Sequence, residues 1–282
     1  MSPFAATDVV LFLHPGAMGS RMAGCCRGAG RRLWVTSGRS AETKARAAAE
    51  GLDAVADLER GVAEADVVIS VCPPSAAESV AGQVAATGFA GVYVDANAIA
   101  PATTRRIGQR FDRFVDGGII GPPPAEPGST RLYLSGDRST AESIAALWAG
   151  SELTAEVLDG DVGAASALKM AYAAWTKGSA ALLATIVAGA EAMGVGDDLG
   201  REWERSQPGL NERVTRTAAG VGPKAWRFAG EMQEIAASFA DVGLPAGFWE
   251  AAAETYCRLA PLRDADTSTV DTLVSLLRAE PS

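Results

Sequence analysis

The stretch Val9-Val10-Leu11-Phe12-Leu13-His14-Pro15-Gly16-Ala17-Met18-Gly19-Ser20 decides how this chain is read. Its first five residues are apolar without a break, the pattern of a strand covered on both faces in a parallel sheet. The run passes straight into a glycine turn, and the sequence predicts a helix from about Ser20. Strand, glycine turn and helix in that order bring free backbone amides and the positive end of a helix to one edge of a sheet, where an anion can be held. Gly16 lets the backbone approach such a group closely, and Gly19 lets the helix pack on the strand. His14 stands where a first glycine is usual, and Pro15 removes one amide donor. Taken alone, the turn fits either a dinucleotide fingerprint, with His14, Pro15, Gly16, Ala17, Met18 and Gly19 against the pyrophosphate, or a plain strand-to-helix connection.

The same theme recurs along the chain. Strand-like apolar runs occupy residues 33–36, 67–71, 91–94, 114–115, 132–134 and 156–158, and helical stretches such as 41–50, closed by Gly51, separate most of them. That alternation predicts repeated βαβ units, a Rossmann-type doubly wound α/β domain over residues 1–158. After Asp159 no strand-like run returns, so residues 159–282 are expected to form an all-α domain. Its first helix is predicted over 162–193, stopped by Gly194 and Gly196, and is far longer than the usual 11 to 12 residues or so. A helix of that length needs a second surface to cover its apolar sides, which predicts a homodimer. Further helices are expected over 223–242, 245–259 and 267–279, with Gly243, Pro245 and Pro261 as punctuation, and Gly121-Pro122-Pro123-Pro124 reads as a rigid loop.

A length of 282 residues allows two domains with real cores, and 48% hydrophobic with 21% charged residues excludes a disordered or fibrous chain. The net charge of -9 is spread without a basic cluster, so neither nucleic acid nor an anionic membrane surface is an expected partner. Cys25, Cys26, Cys72 and Cys257 form no CxxC pair and His14 is the sole histidine, so no metal site is expected and a reduced, cytoplasmic setting fits best. The start Met1-Ser2-Pro3-Phe4 lacks the basic and apolar regions of a signal peptide.

The candidate chemistry sits at the ends of the strand-like runs. The second run leads into Thr36-Ser37-Gly38-Arg39-Ser40, where an acid would bind the adenosine ribose of NAD. Arg39 stands there instead; its planar fork suits a 2′-phosphate, with Ser37 and Ser40 as hydroxyl donors, so NADP is expected over NAD unless Arg39 is an ordinary loop residue. Ser40 is also a candidate cap of the next helix. Cys72-Pro73 and Asp95-Ala96-Asn97 follow later strands at the edge where doubly wound folds bind ligands. Cys72 reads as a small filler rather than a nucleophile, and Asn97 as a donor to a carboxamide or hydroxyl, or as a turn residue. Lys169 lies near the start of the long helix among small and apolar residues, which suits a partly desolvated acid/base or a lysine that snorkels at a helix edge.

Together these segments resemble the β-hydroxyacid dehydrogenase and 6-phosphogluconate dehydrogenase superfamily, in its branch with a distinct, uncharacterised C-terminal domain. The opening loop of the superfamily reads GLGxMG, and Gly16-Ala17-Met18-Gly19 keeps its second half; His14-Pro15 is similar to the branch. The resemblance implies that Gly160, Gly163 and Lys169 match the family's glycines and catalytic lysine, with Lys169 as acid/base beside a nicotinamide that exchanges hydride. The chain departs from the family in three respects. Ala173, after Tyr172, replaces an asparagine; Ile120-Gly121-Pro122 replaces a Ser-Gly-Gly substrate loop; Gly230-Glu231 aligns with a Lys-Asp pair. The resemblance therefore implies a rebuilt substrate pocket around Asn97, Gly121, Tyr172, Trp175 and Glu231. Three readings stay open: a dehydrogenase of a small hydroxy or oxo compound, a reductase of C=N bonds aided by Tyr172, and a non-catalytic NADP-binding protein.

Overall fold

The structure, a computed structural model, describes residues 8–265 and 268–279; the Met1-Ser2-Pro3-Phe4 start and Thr267, the expected start of the last helix, lie outside the described residues. Two compact units divide the chain, Met1–Met170 and Ala171–Ser282.

The first unit is built on eight strands: β1 (Val9–Leu13), β2 (Arg31–Val35), β3 (Asp53–Val55), β4 (Val67–Ser70), β5 (Val92–Asp95), β6 (Phe114–Ile120), β7 (Thr130–Gly136) and β8 (Leu153–Val157). Their order is β3-β2-β1-β4-β5-β6-β7-β8, parallel throughout except for the antiparallel pair β6/β7. The chain winds outward from β1 through β2 to β3 in one direction and, from β4 on, in the other. That reversal opens a crevice at the carboxyl ends of β1 and β4, the switch point where such sheets receive ligands. Helices α1 (Ala17–Gly24), α2 (Ala41–Ala49), α3 (Leu58–Glu64), α4 (Ala77–Ala86), α5 (Pro101–Gly108) and α6 (Arg138–Ala146) connect the strands. Along β1, Val10 and Phe12 join one buried cluster with Met22, Trp34 and Trp148, while Leu11 and Leu13 join another with Leu33, Tyr93 and Ile107. Cores on both faces explain the unbroken apolar run, and each fully buried large side chain contributes about 1.5 to 3 kcal/mol. The indole of Trp148 donates to the Met22 carbonyl at 2.9 Å, so even its polar atom is satisfied.

β7 and β8 begin two and three residues before the expected 132–134 and 156–158, and two strands depart further. β3 is a three-residue edge strand, too short and too exposed to stand out in sequence. β6 runs through Ile120 rather than stopping at Val115, because Gly117 and Gly118 continue the ladder against Leu134 and Tyr133 of β7. Glycines in a strand hide it from an apolar pattern.

The division between the units falls inside α7 (Ala164–Ala173). The helix expected over 162–193 is helical from Ala164 to Ala192, but a π-helical turn, Ala174–Gly178, separates α7 from α8 (Ser179–Ala192). Within the second unit the indole of Trp249 lies where a side chain at residue 178 would stand, so glycine is required there. The Lys177 carbonyl accepts a hydrogen bond from the Tyr256 hydroxyl at 2.7 Å, which supports the altered turn. The later helices are α9 (Gly196–Ser206), α10 (Leu210–Val221), α11 (Ala225–Asp241), α12 (Gly247–Arg258) and α13 (Val270–Arg278). The sequence predicts neither α9 nor α10; on α9 the apolar Leu199 and Trp203, one turn apart, stand among charged residues and are only half-buried. The core of this unit includes the buried small residues Ala180, Ala181, Ala184 and Ala188 of α8, Met232 and Ile235 of α11, and Tyr256 of α12. Among the described residues no helix is long and apolar enough to cross a membrane.

Candidate active site

The glycine turn keeps its expected shape around an unexpected residue. His14 has φ 60°, the left-handed backbone that a first glycine would adopt freely and that costs a side chain about 1 to 2 kcal/mol. Its carbonyl accepts from the Gly16 amide at 2.7 Å, and α1 starts at Ala17, three residues earlier than predicted, with Gly16 as its cap. Ala17, Met18 and Gly19 therefore form the first turn, which holds no acidic residue. A Cβ on Gly19 would stand 3.2 Å from the His14 carbonyl oxygen and 3.6 Å from the Val71 side chain, so glycine allows the helix to sit this close to the strand ends. At Gly16 the nearest atom to a Cβ would be 4.0 Å away, and the backbone is open to an approaching group.

The loop after β2 faces the same region. Ser40 caps α2 by accepting from the Thr43 amide at 3.2 Å, and Ser37 is exposed. Arg39 is half-buried, its Nε has no hydrogen-bond partner, and the same holds for Nδ1 of His14. Burial, with the Arg39 charge added, pushes the His14 imidazole down to about 4, so it is neutral at neutral pH. An open glycine cradle, a helix start without acids, and two buried nitrogens lacking partners are what a phosphate-bearing dinucleotide would satisfy. The residues present fit that group.

Beyond β4, the Cys72 amide donates to Oδ1 of Asn97 at 2.6 Å, Nδ2 of Asn97 donates to the Ser70 hydroxyl at 3.1 Å, and the Asn97 amide donates to Oδ1 of Asp95 at 3.0 Å. With 3% exposure, Asn97 fastens the loops that follow β4 and β5 to one another. Pro73 leads from this clamp into a short helical turn. Burial pushes the Cys72 thiol up to about 11, which agrees with a filler and not a nucleophile. Asp95 is 1% exposed, and burial first, with Asp116 as a further cause, pushes its carboxyl up to about 7. Its Oδ2 and the nearby Tyr93 hydroxyl have no hydrogen-bond partners.

Lys169, on the second turn of α7, is half-buried. Its Cβ lies 3.2 Å from where a Gly118 Cβ would be, and the Ala165 carbonyl oxygen lies 2.5 Å from the same point, so α7 rests directly on the β6 backbone. Gly118 lies beyond the Asp95↔Asp116 pair that closes the β5/β6 ladder. Lys169 thus stands over the carboxyl edge of the parallel strands, the edge that carries the glycine turn. The sequence reading did not single out Asp116, 0% exposed on β6. Oδ2 accepts from Ser135 Oγ, the Gly163 amide and the Ser166 amide, each at 3.0 Å, and Oδ1 accepts from Ser166 Oγ at 2.6 Å. Its signal was a lone carboxylate inside an otherwise uncharged, fully buried strand.

The candidates for substrate contact are distributed over both units. Gly121, with φ 122°, begins the β6–β7 turn where a side chain would collide with the Ser129 carbonyl. In the second unit, Tyr172 and Trp175 are exposed, and the Arg213 guanidinium lies 5.5 Å from the Trp175 ring centre. Glu231 forms a largely buried ion pair with Lys177, whose ammonium also stands 5.0 Å from the Phe228 ring centre. The cation that meets Glu231 is one of the chain's own, and Lys177 escaped the sequence reading because its partner is 54 residues away.

Sheet order, glycine turn and edge lysine together define a dinucleotide-binding fold with an acid/base candidate. Residues 11–149 match the NAD binding domain of 6-phosphogluconate dehydrogenase, and residues 190–259 match a domain of unknown function, DUF1932. The chain belongs to the 6-phosphogluconate dehydrogenase-like superfamily, in the branch that carries this C-terminal domain. An uncharacterized 28.5 kDa protein of Methanothermus fervidus is 32% identical over 164 residues; the match spans 57% of this chain and 62% of that protein, less than two thirds of its length. The conserved protein MTH1747, of unknown function and structurally similar to 3-hydroxyacid dehydrogenases, is 25% identical with a TM-score of 0.66 over 91% of this chain and all of that one. A reductive aminase from Aspergillus terreus, solved with NADPH and ethyl levulinate, is 18% identical with a TM-score of 0.53 over 96% of this chain and 100% of that chain, and shares the fold.

Proposed function

We propose that the chain is an NADP-dependent oxidoreductase that moves hydride to or from a small hydroxy or oxo substrate, with Lys169 as general acid and base. The observation that carries this reading is the packing of Lys169 on Gly118, over the sheet edge that also bears the glycine turn and Arg39. NADP is favoured by Arg39, whose fork suits a 2′-phosphate, and by the lack of an acid in 36–40. The coenzyme, when bound, supplies or accepts the hydride. The first-turn amides of Ala17, Met18 and Gly19 would hold its pyrophosphate, and the buried nitrogens of His14 and Arg39 would gain acceptors. The Lys169 ammonium gives its proton to the carbonyl oxygen of a substrate under reduction and, as the neutral amine, removes it from the hydroxyl in the reverse direction. In the second unit Tyr172 and Trp175 are the proposed substrate contacts, with Glu231 in its Lys177-paired form. Reduction of C=N bonds is the second reading: Ala173 replaces the family's asparagine, and the exposed Tyr172 beside it offers another proton donor.

The test combines NADPH and NADH titrations with turnover of 3-hydroxy acids, small ketones and cyclic imines. Lys169→Ala should cut turnover by about 10²- to 10⁴-fold while NADPH affinity holds within about twofold. Arg39→Ala should weaken NADPH by about tenfold and leave NADH unchanged. Wild-type turnover in Lys169→Ala overturns the acid/base role, and tight NADPH binding with no turnover of any probe leaves the non-catalytic reading. A homodimer is proposed as well, because Tyr172, Trp175, Leu182, Ile186 and Met193 are exposed at helical spacing in the second unit. A monomer by light scattering overturns it.

A further inference from the structure

The four hydrogen bonds to Asp116 converge on the first turn of α7. Every donor is accounted for in one consistent direction. Ser135 Oγ donates to the carboxylate and accepts from the Ala165 amide at 3.0 Å, while Ser166 Oγ donates to the carboxylate and lies 2.8 Å from the Thr104 hydroxyl of α5. Two backbone amides and two hydroxyls reach its two oxygens, and these bonds oppose the burial that pushes the Asp116 carboxyl up. The same strand face bears Gly118 two residues on, where the helix rests by the Ala165 carbonyl and the Lys169 Cβ. Asp116 and Gly118 therefore fix the depth and register of α7, and Lys169 is carried one turn beyond Ser166.

We propose that Asp116 is the positioning residue of this site: its buried carboxylate bolts the first turn of α7 to β6 and, through that turn, holds Lys169 over the sheet edge. The proposal rests on Lys169 being the acid/base named above. A carboxylate bonded to the turn that precedes Lys169 would favour its ammonium form. The other ionisable groups in the surroundings are Asp95, opposite on β5, and Arg105 of α5, whose guanidinium lies beside Gly163.

The chain has four lysines, Lys44, Lys169, Lys177 and Lys224, so each Cε signal can be assigned in full-length protein carrying ¹³C-labelled lysine, with Lys169→Arg identifying the one of interest. In Asp116→Asn the Lys169 titration midpoint should fall by about one pH unit, the other three lysines holding theirs. Ser166→Ala, which keeps the charge and strips the Oδ1 donor, should lower the midpoint by less than half as much and shrink the Lys169 shift induced by saturating NADPH. It also serves if Asp116→Asn does not fold. An unmoved midpoint and an unchanged NADPH-induced shift in the folded variants overturn the proposal, as does an equal displacement of all four lysines. If NADPH leaves the wild-type Lys169 signal untouched while Asp116→Asn still moves its midpoint, the catalytic reading fails and the positioning role stands.

Discussion

The carboxyl ends of β5 and β6 carry one aspartate each, Asp95 and Asp116, directly opposite in the ladder and both almost wholly buried, yet their surroundings meet them unequally. Asp116 accepts four hydrogen bonds. Asp95 accepts one, from the Asn97 amide, and its Oδ2 has no partner. Burial drives both carboxyls upward; donors from Ser166, Ser135 and Gly163 pull back at Asp116, and at Asp95 Asn97 alone does so. The difference teaches that a sheet end can bury a carboxyl with both oxygens engaged where a helix start supplies amides and hydroxyls to meet it. The neighbouring strand, without them, holds a carboxyl near 7.

The largest way to break that contrast is Asp116→Ala, which leaves the Gly163 and Ser166 amides without acceptors. It should destabilise the fold by about 3 kcal/mol in urea unfolding at pH 8, whereas Asp95→Ala, with one amide released, should cost about a third as much. Equal losses would erase the distinction. The pH dependence sharpens it. Folded Asp95 keeps its proton up to about pH 7, whereas an unfolded aspartate loses it near 3.8, so between those limits the folded state binds the extra proton. Its contribution to stability is full below the lower limit and is lost by about 1.4 kcal/mol per pH unit as pH rises through the window. Asp95→Asn should remove that slope in melts taken from pH 4 to 8, and a parallel pH profile would refute it. The smallest effect comes from His14, whose slope has the opposite sign. Its folded value of about 4 lies below the usual 6.5, so its contribution is absent at low pH and grows as pH rises between the two. Solvent access to the ring discounts this to well under 1 kcal/mol per pH unit. His14→Gln should therefore steepen the net decline across pH 4 to 6.5, and a shallower profile would count against the neutral buried imidazole.

Much of this architecture was legible because its signals are local. The apolar run of β1, Gly16 and Gly19, the Ser40 cap and the place of Lys169 near a helix start depend on neighbours within a few residues or on a helix period. Where the reading fell short, the local signal was weak or mixed. β6 was clipped because Gly117 and Gly118 are poor strand formers in isolation, and the π turn at Ala174–Gly178 follows from Trp249 and Tyr256, far along the chain. Asn97 reads in sequence as a loop donor; its amide is engaged with Ser70 and Cys72 on the neighbouring strand's end.

The sequence by itself determined the alternation of strands and helices, the position of the glycine turn, and a lysine near the head of a helix, because periodicity and backbone freedom are properties of short segments. Tertiary structure alone decided which polar side chains meet. The hydrogen bonds of Asn97 to Cys72 and of Asp116 to Ser166, and the ion pair of Lys177 with Glu231, join residues 25, 50 and 54 positions apart. A charge or amide is indifferent to its partner's distance along the chain and responds to its distance in space, and folding sets that second distance.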